Sequence, residues 1–331
     1  MTSECVGANV NYRESDTVAN TAARHVPSSP LEFMSLSSSE RVRRVCNQSP
    51  SLNVSMELIK PPAGRRSNNL VFTSAGDRSN LGRWLEGRRD FDLWVAYYGK
   101  HPGIFEPEAD FYSLARGAKF QNLHSCYQRW SDVFAQYDAV MVMDDDILID
   151  ATGITRLFAI RQELDLWLVQ PAFRLCGKIS WDITCVSPTN RLRYTNFVEM
   201  TCPLFRRDKL DAFMAVFDPE SAGYGEDWWF LKTLGPDLHK RVAIVDEVPC
   251  VNPHDREKGG TREIDRLLSH EERKASWERM KARYGLDERA RDHEEYGSVR
   301  KSALGAVAGL IRYFPDWVQF NAKRVGQRLF R

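Results

Sequence analysis

Short runs of apolar residues alternate along the chain with segments in which apolar residues recur at helical spacing. The runs predict strands in NNLVFTSAG (68–76), DFDLWVAYYG (90–99), DAVMVMDDD (138–146), LWLVQPAF (166–173) and RVAIVDEVPCV (241–251). Helical spacing predicts a helix start in DRSNLGRWLEG (77–87) and helices in AKFQNLHSCYQRWSDVFAQY (118–137) and GITRLFAIRQELD (153–165). Alternating strands and helices favour an α/β fold with a mostly parallel sheet flanked by helices. We expect this domain to span residues 68–296.

The first 67 residues have a different composition. Only two of the 37 aromatic residues, Tyr12 and Phe33, lie there, and nine of the 28 residues from Ser28 to Ser55 are serine. Such a segment buries too little apolar area to offset the entropy of ordering it. The pattern therefore predicts a mostly disordered N-terminal tail over 1–67, with one short capped helix in SSSERVRRV.

The segment 297–331 is predicted to form a basic, amphipathic, helical C-terminal tail. From Arg300 to Arg331 it has seven basic residues and one acidic residue, together with ALGAVAGLI and the aromatic residues Tyr313, Phe314, Trp317 and Phe320. This composition is typical of a helix that lies in a membrane interface, and equally of one that packs on its own domain. Pro315 predicts two short helices in place of one long helix.

Composition narrows the class of protein. The 331 residues are 43% hydrophobic and carry a net charge of +1, so the chain can bury a large core and is not a general nucleic-acid binder. Seven scattered cysteines without a CxxC motif argue against a zinc knuckle and favour a reducing compartment. No apolar run reaches the length of a membrane span, and the N-terminus lacks a secretory signal pattern. We therefore expect a cytoplasmic protein, peripheral to the inner face of the membrane if the C-terminal tail binds lipid.

Three consecutive carboxylates, Asp144, Asp145 and Asp146, follow the core strand AVMV. Like charges repel, and carboxylates near a core are costly unless something neutralises them. Ligands bind beyond the carboxyl ends of parallel strands, and clustered carboxylates suit a hard cation such as Mn²⁺ or Mg²⁺. The alternative is a solvated turn, in which aspartates are common.

A second motif, SAGYGEDWWFLKTLG, combines glycines with acidic and aromatic residues. Gly223 and Gly225 permit unusual φ values, and Glu226 and Asp227 fall in the predicted first turn of a helix. The helix dipole favours carboxylates there, so simple capping is one interpretation and chemistry at a cleft is the other. Trp228 is a candidate stacking surface for a sugar.

The order of these motifs, followed by His254 in VNPHDREKGG, resembles that of GT-A-type glycosyltransferases. In those enzymes a DxD motif ends a central strand and holds a metal bound to a nucleotide-sugar diphosphate. More narrowly, YDAVMVMDDDILI, LVQPAF, ISWDIT, RYTNFVEMTCPLFRRDKL and GYGEDWWFLKTLG resemble the DUF707 family, over roughly residues 68–256. This resemblance implies a GT-A-like fold and a metal-dependent transfer of a sugar from a nucleotide-sugar donor to a hydroxyl acceptor.

The resemblance also implies roles for individual residues. Metal binding falls to Asp144, Asp146 and His254, and donor binding to Ser74, Asp77, Asp144 and Asp145. Asp227, with Glu226 as the second candidate, would be the base that accepts the acceptor's proton, which gives inversion at the anomeric carbon. Trp228 and Glu199 would bind the acceptor, although a buried structural hydrogen bond is an equal alternative for Glu199.

Two other functions are consistent with the same motifs. A metal-dependent nucleotidyl- or phosphoryl-transfer enzyme also places carboxylates at strand ends, but the chain has no GxxxxGK[ST] loop. A non-catalytic GT-A-like binding protein would keep the fold without turnover. If the chain is a glycosyltransferase, its expected partners are a nucleotide-sugar, a saccharide or lipid-linked acceptor of bacterial surface polysaccharide or glycolipid synthesis, and an anionic membrane surface.

Overall fold

A mixed β-sheet of ten strands forms the centre of the described structure. The computed structural model describes residues 56–61, 65–254, 265, 268–286 and 293–329, with side chains described as far as residue 322, and all of these residues belong to one unit, Ser38–Arg331. The strands are β1 Met56–Lys60, β2 Asn69–Ala75, β3 Asp92–Tyr97, β4 Phe111–Ala115, β5 Ala139–Val142, β6 Leu168–Phe173, β7 Asn190–Thr195, β8 Leu204–Arg206, β9 Val242–Cys250 and β10 Glu295–Arg300. Their order across the sheet is β1-β4-β3-β2-β5-β8-β6-β9-β7-β10.

The sheet is parallel where the predicted strands lie. Strands β4, β3, β2 and β5 form a continuous parallel block, and β6 pairs in parallel with β9. Strand β8 lies antiparallel between β5 and β6, and the remaining pairs at both edges are also antiparallel. The α/β fold class is confirmed, and the sheet is more mixed than the apolar runs indicated.

Helices cover both faces of the sheet. They are α1 Leu81–Trp84, α2 Lys119–Arg129, α3 Ser131–Phe134, α4 Ala151–Glu163, α5 Arg207–Met214, α6 Glu226–Thr233, α7 His270–Tyr284 and α8 Ala303–Leu329, and a 3₁₀ turn spans Asp182–Thr184. Alternate side chains of β2 point to opposite faces: Leu70 and Phe72 pack with α2, α5 and α6, whereas Val71 packs with α1 and α4. The core therefore consists of two apolar layers separated by the sheet.

Three local predictions differ from the structure. The predicted helix over 118–137 is two helices, α2 and α3, because Trp130 leaves the helical region of φ and ψ between them and packs its ring 5.6 Å from that of Trp94. The helix start in DRSNLGRWLEG is the single turn α1. The prediction of two C-terminal helices was wrong, because α8 continues through Pro315. Tyr313 and Asp316, on either side of that proline, are both buried against the domain.

The predicted segment boundaries stay predictions. Most of the N-terminal tail, including the short helix in SSSERVRRV, lies outside the described residues. Its end, Met56–Lys60, forms the edge strand β1, which pairs with β4. At the other boundary, β10 spans residues 295–300 and therefore crosses the division expected between 296 and 297.

Candidate active site

Asp144 lies in the loop that directly follows β5, at the carboxyl edge of the parallel block. Its backbone N–H donates to the Thr201 carbonyl at 2.9 Å. Its carboxylate Oδ1 lies 2.7 Å from the ammonium Nζ of Lys119, and its side chain is 35% exposed. A protein cation therefore balances part of the charge that makes three adjacent aspartates costly.

Lys119 was not found by sequence analysis. It is the first residue of α2, and its ammonium also donates to the carbonyls of Met200 at 2.6 Å and Thr201 at 3.0 Å. A lysine at a helix N-terminus opposes the helix dipole, and this mismatch is the signal that could have singled it out. Its three contacts join α2, the loop after β5 and the VEMT segment (residues 198–201) into one structure.

Glu199 is buried beside this lysine. Its Oε1 accepts from the Thr201 hydroxyl at 2.8 Å, and its backbone N–H donates to Gln170 Oε1 at 2.6 Å. Burial raises the pKa of Glu199, whereas hydrogen bonds from Thr201 and Ser180 both act to lower the pKa of this carboxyl group. The negative charge of Asp144 also raises this pKa, and Lys119 opposes the shift. The structure thus places Glu199 within the electrostatic reach of the aspartate loop.

Glu226 opens α6 and is fully buried. Its Oε1 accepts from the Ser221 hydroxyl at 3.1 Å and from the Gly223 N–H at 2.9 Å. Burial raises the pKa of Glu226 to about 7. These bonds close the glycine turn before the helix, and the helix itself has no side-chain cap hydrogen bond.

Asp227 is the next residue, and its environment differs. It is 6% exposed, and its Oδ1 accepts from the Trp228 N–H at 3.0 Å. Burial raises the pKa of Asp227 to about 7, and the negative charges of Glu199 and Glu226 act in the same direction. A carboxyl group with this pKa exchanges its proton near neutral pH, as a general base must. We refer to Asp144, Glu199, Glu226 and Asp227 as the carboxylate cluster.

Gly225 determines the direction in which α6 starts. Its φ of 74° is in the left-handed region, as the motif predicted, and Gly223 has a φ of 70°. A Cβ added at Gly225 would lie 2.3 Å from the ring of Trp277 on α7. Glycine is therefore required both for the backbone conformation and for the close packing of α7.

Trp228 belongs to an aromatic group next to Asp227. Its ring centroid lies 5.7 Å from that of His293 with nearly parallel planes, 5.4 Å from Phe197 and 6.1 Å from Trp181. Trp181 is 37% exposed, so one side of the group reaches solvent. The neighbouring Trp229 and Phe230 are core residues. An aromatic surface with a solvent-exposed edge beside a carboxyl group suits contact with a sugar ring.

The predicted donor residues lie at the same edge of the sheet. Asp145 Oδ2 accepts from the Gly76 N–H at 3.0 Å, and the Asp145 carbonyl accepts from the Asn80 N–H at 2.7 Å. Asp145 therefore joins the loop after β2 to the loop after β5. Ser74 is buried, and its hydroxyl accepts from Asn122 Nδ2 at 2.9 Å.

Asp77 lies in the loop after β2 and has several partners of its own. Its Oδ1 accepts from the Tyr97 hydroxyl and from the Lys100 N–H at 3.0 Å, and its Oδ2 lies 3.2 Å from His101 Nδ1. The hydrogen bond from Tyr97 is the main cause that lowers the pKa of Asp77. Asp77 is thus an ionised carboxylate that fixes the loop on which it lies.

The segments of the three predicted metal ligands are connected through the backbone. Leu148 and Val251 exchange hydrogen bonds of 2.9 and 3.1 Å, which aligns the loop of Asp144 and Asp146 with the segment leading to His254. Carboxylate oxygen and imidazole nitrogen are suitable donors for Mn²⁺ or Mg²⁺. Among the described residues, however, no group of three or more His, Cys, Asp or Glu side chains is gathered as a metal site.

Comparison with known proteins gives a likeness to solved glycosyltransferase structures. No family model and no curated protein matches the chain, so the resemblance to DUF707 stays a prediction. Residues 1–349 of Staphylococcus aureus TarS are 10% identical with a TM-score of 0.42, and the match covers 60% of this chain and 63% of that one. A second S. aureus TarS structure is 11% identical with a TM-score of 0.43, covering 60% of this chain and 38% of that one. The chain thus spans less than two thirds of both TarS structures.

A further similar structure is the mannosyltransferase PcManGT from Pyrobaculum calidifontis, in complex with GDP-Man and Mn²⁺. It is 12% identical with a TM-score of 0.38, and the match covers 88% of this chain and 90% of that chain. Another structure of S. aureus TarS 1–349 is in complex with UDP-GlcNAc.

Proposed function

We propose that this protein is a glycosyltransferase that moves a sugar from a nucleotide-sugar to a hydroxyl acceptor. The observation that carries the proposal is Asp227, a buried carboxyl group with a pKa of about 7 that accepts from the backbone N–H of Trp228, a member of the partly exposed aromatic group. The carboxylate cluster links it to an aspartate loop that is bonded to the loop after β2. In this proposal, these residues supply the base, the sugar-stacking surface and the donor loop.

In this proposal Asp227 accepts the proton of the attacking hydroxyl, and attack from the face opposite the leaving group inverts the anomeric carbon. Glu226 is fully buried and bonded to its own turn, so Asp227 is the base that we favour. Trp228 stacks on the sugar acceptor. Glu199, which accepts from the Thr201 hydroxyl, is the second residue that we propose for binding the acceptor.

The donor binds at the two bonded loops in the proposal. Asp145 holds the loop after β2, and Asp77 and Ser74 shape that loop for the nucleotide. Asp144, Asp146 and His254 would hold Mn²⁺ or Mg²⁺, which when bound would neutralise charge on the departing diphosphate. The acceptor class that we propose is a saccharide or a lipid-linked saccharide of bacterial surface polysaccharide or glycolipid synthesis, made at the inner face of the membrane.

Calorimetry with UDP and with GDP, each with Mn²⁺ and with excess chelator, tests the proposal. We expect at least one nucleotide to bind, and to bind more tightly with Mn²⁺. Asp146→Asn should remove the effect of Mn²⁺ on nucleotide binding and leave the fold intact. Asp132→Asn, an exposed substitution on α3, is the control and should leave the effect of Mn²⁺ unchanged. Equal binding with chelator would remove the metal from the proposal. Failure to bind or hydrolyse any member of a nucleotide-sugar library would overturn the proposal that the protein is a glycosyltransferase.

A further inference from the structure

Helix α8 is attached to the domain along one face. Gly309 lies so close to the Pro188 carbonyl that an added Cβ would be 2.2 Å from its oxygen. Tyr313 is buried, and the carboxylate of Asp316 accepts two hydrogen bonds of 2.9 and 3.0 Å from the Arg174 guanidinium. The spacings of four and three residues put these three contacts on the same side of the helix.

The opposite side of α8 is apolar and exposed. Its side chains are spaced by three or four residues, as an apolar stripe on one helical face requires. Its members, with their exposed fractions, are Leu304 (85%), Val307 (55%), Leu310 (52%), Ile311 (71%), Phe314 (61%), Trp317 (56%) and Val318 (44%). We call these seven residues the outer stripe. An exposed apolar surface of this extent indicates a binding face.

The charges of the same segment are almost all positive. Residues 300–331 contain seven basic residues and one acidic residue, Asp316. Because Asp316 is turned inward to Arg174, its charge is neutralised on the attached face. Arg312 is exposed on the helix. A solvent-facing surface that combines apolar side chains with basic charge complements anionic lipid headgroups.

We propose that the outer stripe binds the headgroup region of an anionic lipid bilayer. No described helix is sufficiently long and apolar to be a candidate for crossing a membrane. Phe314 and Trp317, whose rings stack with centroids 6.2 Å apart, are side-chain types that settle at the headgroup level. Pairing with a second copy would bring two net-basic segments together, so charge complementarity favours the lipid surface.

The attachment of α8 also connects it to the candidate site. Arg174 directly follows β6, and its N–H donates to the Cys250 carbonyl at 2.9 Å. The same loop continues to Lys178, whose N–H donates to the Asn252 carbonyl at 2.7 Å. Asn252 follows Val251, which is bonded to the loop of the aspartates. Lipid bound to the outer stripe would thus hold the candidate active site near the bilayer surface. This consequence rests on the proposed function.

Co-sedimentation of the full chain with vesicles tests lipid binding. Vesicles of phosphatidylglycerol and phosphatidylcholine are compared with vesicles of phosphatidylcholine alone, at low salt and at high salt. We expect binding to the anionic vesicles that weakens with salt. Binding to neither kind of vesicle, or equal binding to both without salt dependence, would overturn the proposal.

Variants assign the binding to this face. Combined Val307→Ser, Ile311→Ser and Phe314→Ser changes should lower the partition into anionic vesicles by about tenfold or more. Ile59→Ser, on the exposed edge strand, is the matched control and should have no effect. If the triple variant does not fold, Arg312→Glu alone should still lower anionic binding severalfold, and unchanged binding would overturn the proposal.

Two further measurements separate the remaining explanations. Light scattering without lipid should give a monomer. A dimer that becomes monomeric in the triple variant would assign the outer stripe to a second copy and overturn the lipid proposal. Nucleotide calorimetry on the triple variant should equal that of the unmodified chain, because the three substituted side chains are exposed on the side of α8 opposite its attachment to the domain. Loss of lipid binding with intact nucleotide binding therefore distinguishes this inference from the proposed function.

Discussion

The fully buried carboxyl group of Glu226 should make the free energy of unfolding depend on pH. Burial raises its pKa from 4.5 to about 7, so the folded protein retains a proton that the unfolded chain releases over that range. A group with a raised pKa contributes stability that is complete below pH 4.5 and is lost as pH rises through about 7. Each pKa unit corresponds to 1.36 kcal/mol, so the loss is roughly 3 kcal/mol.

Glu226→Gln removes this titration while it keeps the shape of the side chain and a carbonyl oxygen for Ser221 and Gly223. Relative to the unmodified protein, the variant should gain roughly 3 kcal/mol between pH 4.5 and pH 8. Asp227 adds to the difference in the same direction, because the Glu226 charge raises the pKa of Asp227.

Urea unfolding followed by tryptophan fluorescence at pH 5, 6, 7 and 8 measures this difference. Glu57→Gln, an exposed substitution on β1, is the matched control and should give a curve parallel to that of the unmodified protein. If Glu226→Gln shifts stability by the same amount at every pH, Glu226 does not titrate in this range. In that case the reasoning from burial fails.

Three further changes test the site and its support. Asp227→Asn should lower turnover by about 10²–10⁴-fold with little change in donor affinity. The kcat of the unmodified protein should rise with pH through about 7. Near-normal turnover of the variant would show that Asp227 has no role beyond the start of the helix. Gly225→Ala and Gly235→Ala share a positive φ, but only the first would clash, so it should lose about 1–3 kcal/mol more in thermal melts. Equal losses of stability in the two variants would mean that α7 shifts to accommodate the added methyl group at little cost. Lys119→Met should lower the free energy of unfolding, measured by urea titration, by about 2–4 kcal/mol. Partial hydration of Asp144 limits the loss, because water replaces some of the interaction with Lys119. An unchanged midpoint would contradict the role of this ion pair.

The sequence predicted the strands that are buried on both faces, because such strands appear in it as continuous apolar runs. Strands β2, β3, β5, β6 and β9 were predicted because both faces of each are covered, which leaves few polar positions in the run. The position of the aspartate loop at the carboxyl edge followed from that pattern. Strand β8 was missed because three residues are too short to show a period. It nevertheless aligns the VEMT segment with Asp144.

The contacts within the site could not be predicted in the same way. Lys119 and Asp144 are 25 residues apart, and Met200 is a further 56 residues along, so only the folded sheet brings them together. Local sequence predicted that Glu226 and Asp227 begin a helix. It did not distinguish the first, which is bonded inside its turn, from the second, which lies beside the aromatic group. That difference depends on tertiary contacts that no local sequence pattern shows.

The pair of hydrogen bonds between Leu148 and Val251 has a consequence for engineering this chain. The bonds fix the register between the loop of the aspartates and the segment before His254, so a shift of one segment is transmitted to the other. Insertion or deletion of one residue between Asp146 and Leu148, or between Val251 and His254, would displace the side chain of Asp146 or His254 relative to the pair. Libraries aimed at new donors should therefore keep both loop lengths constant and vary side chains alone.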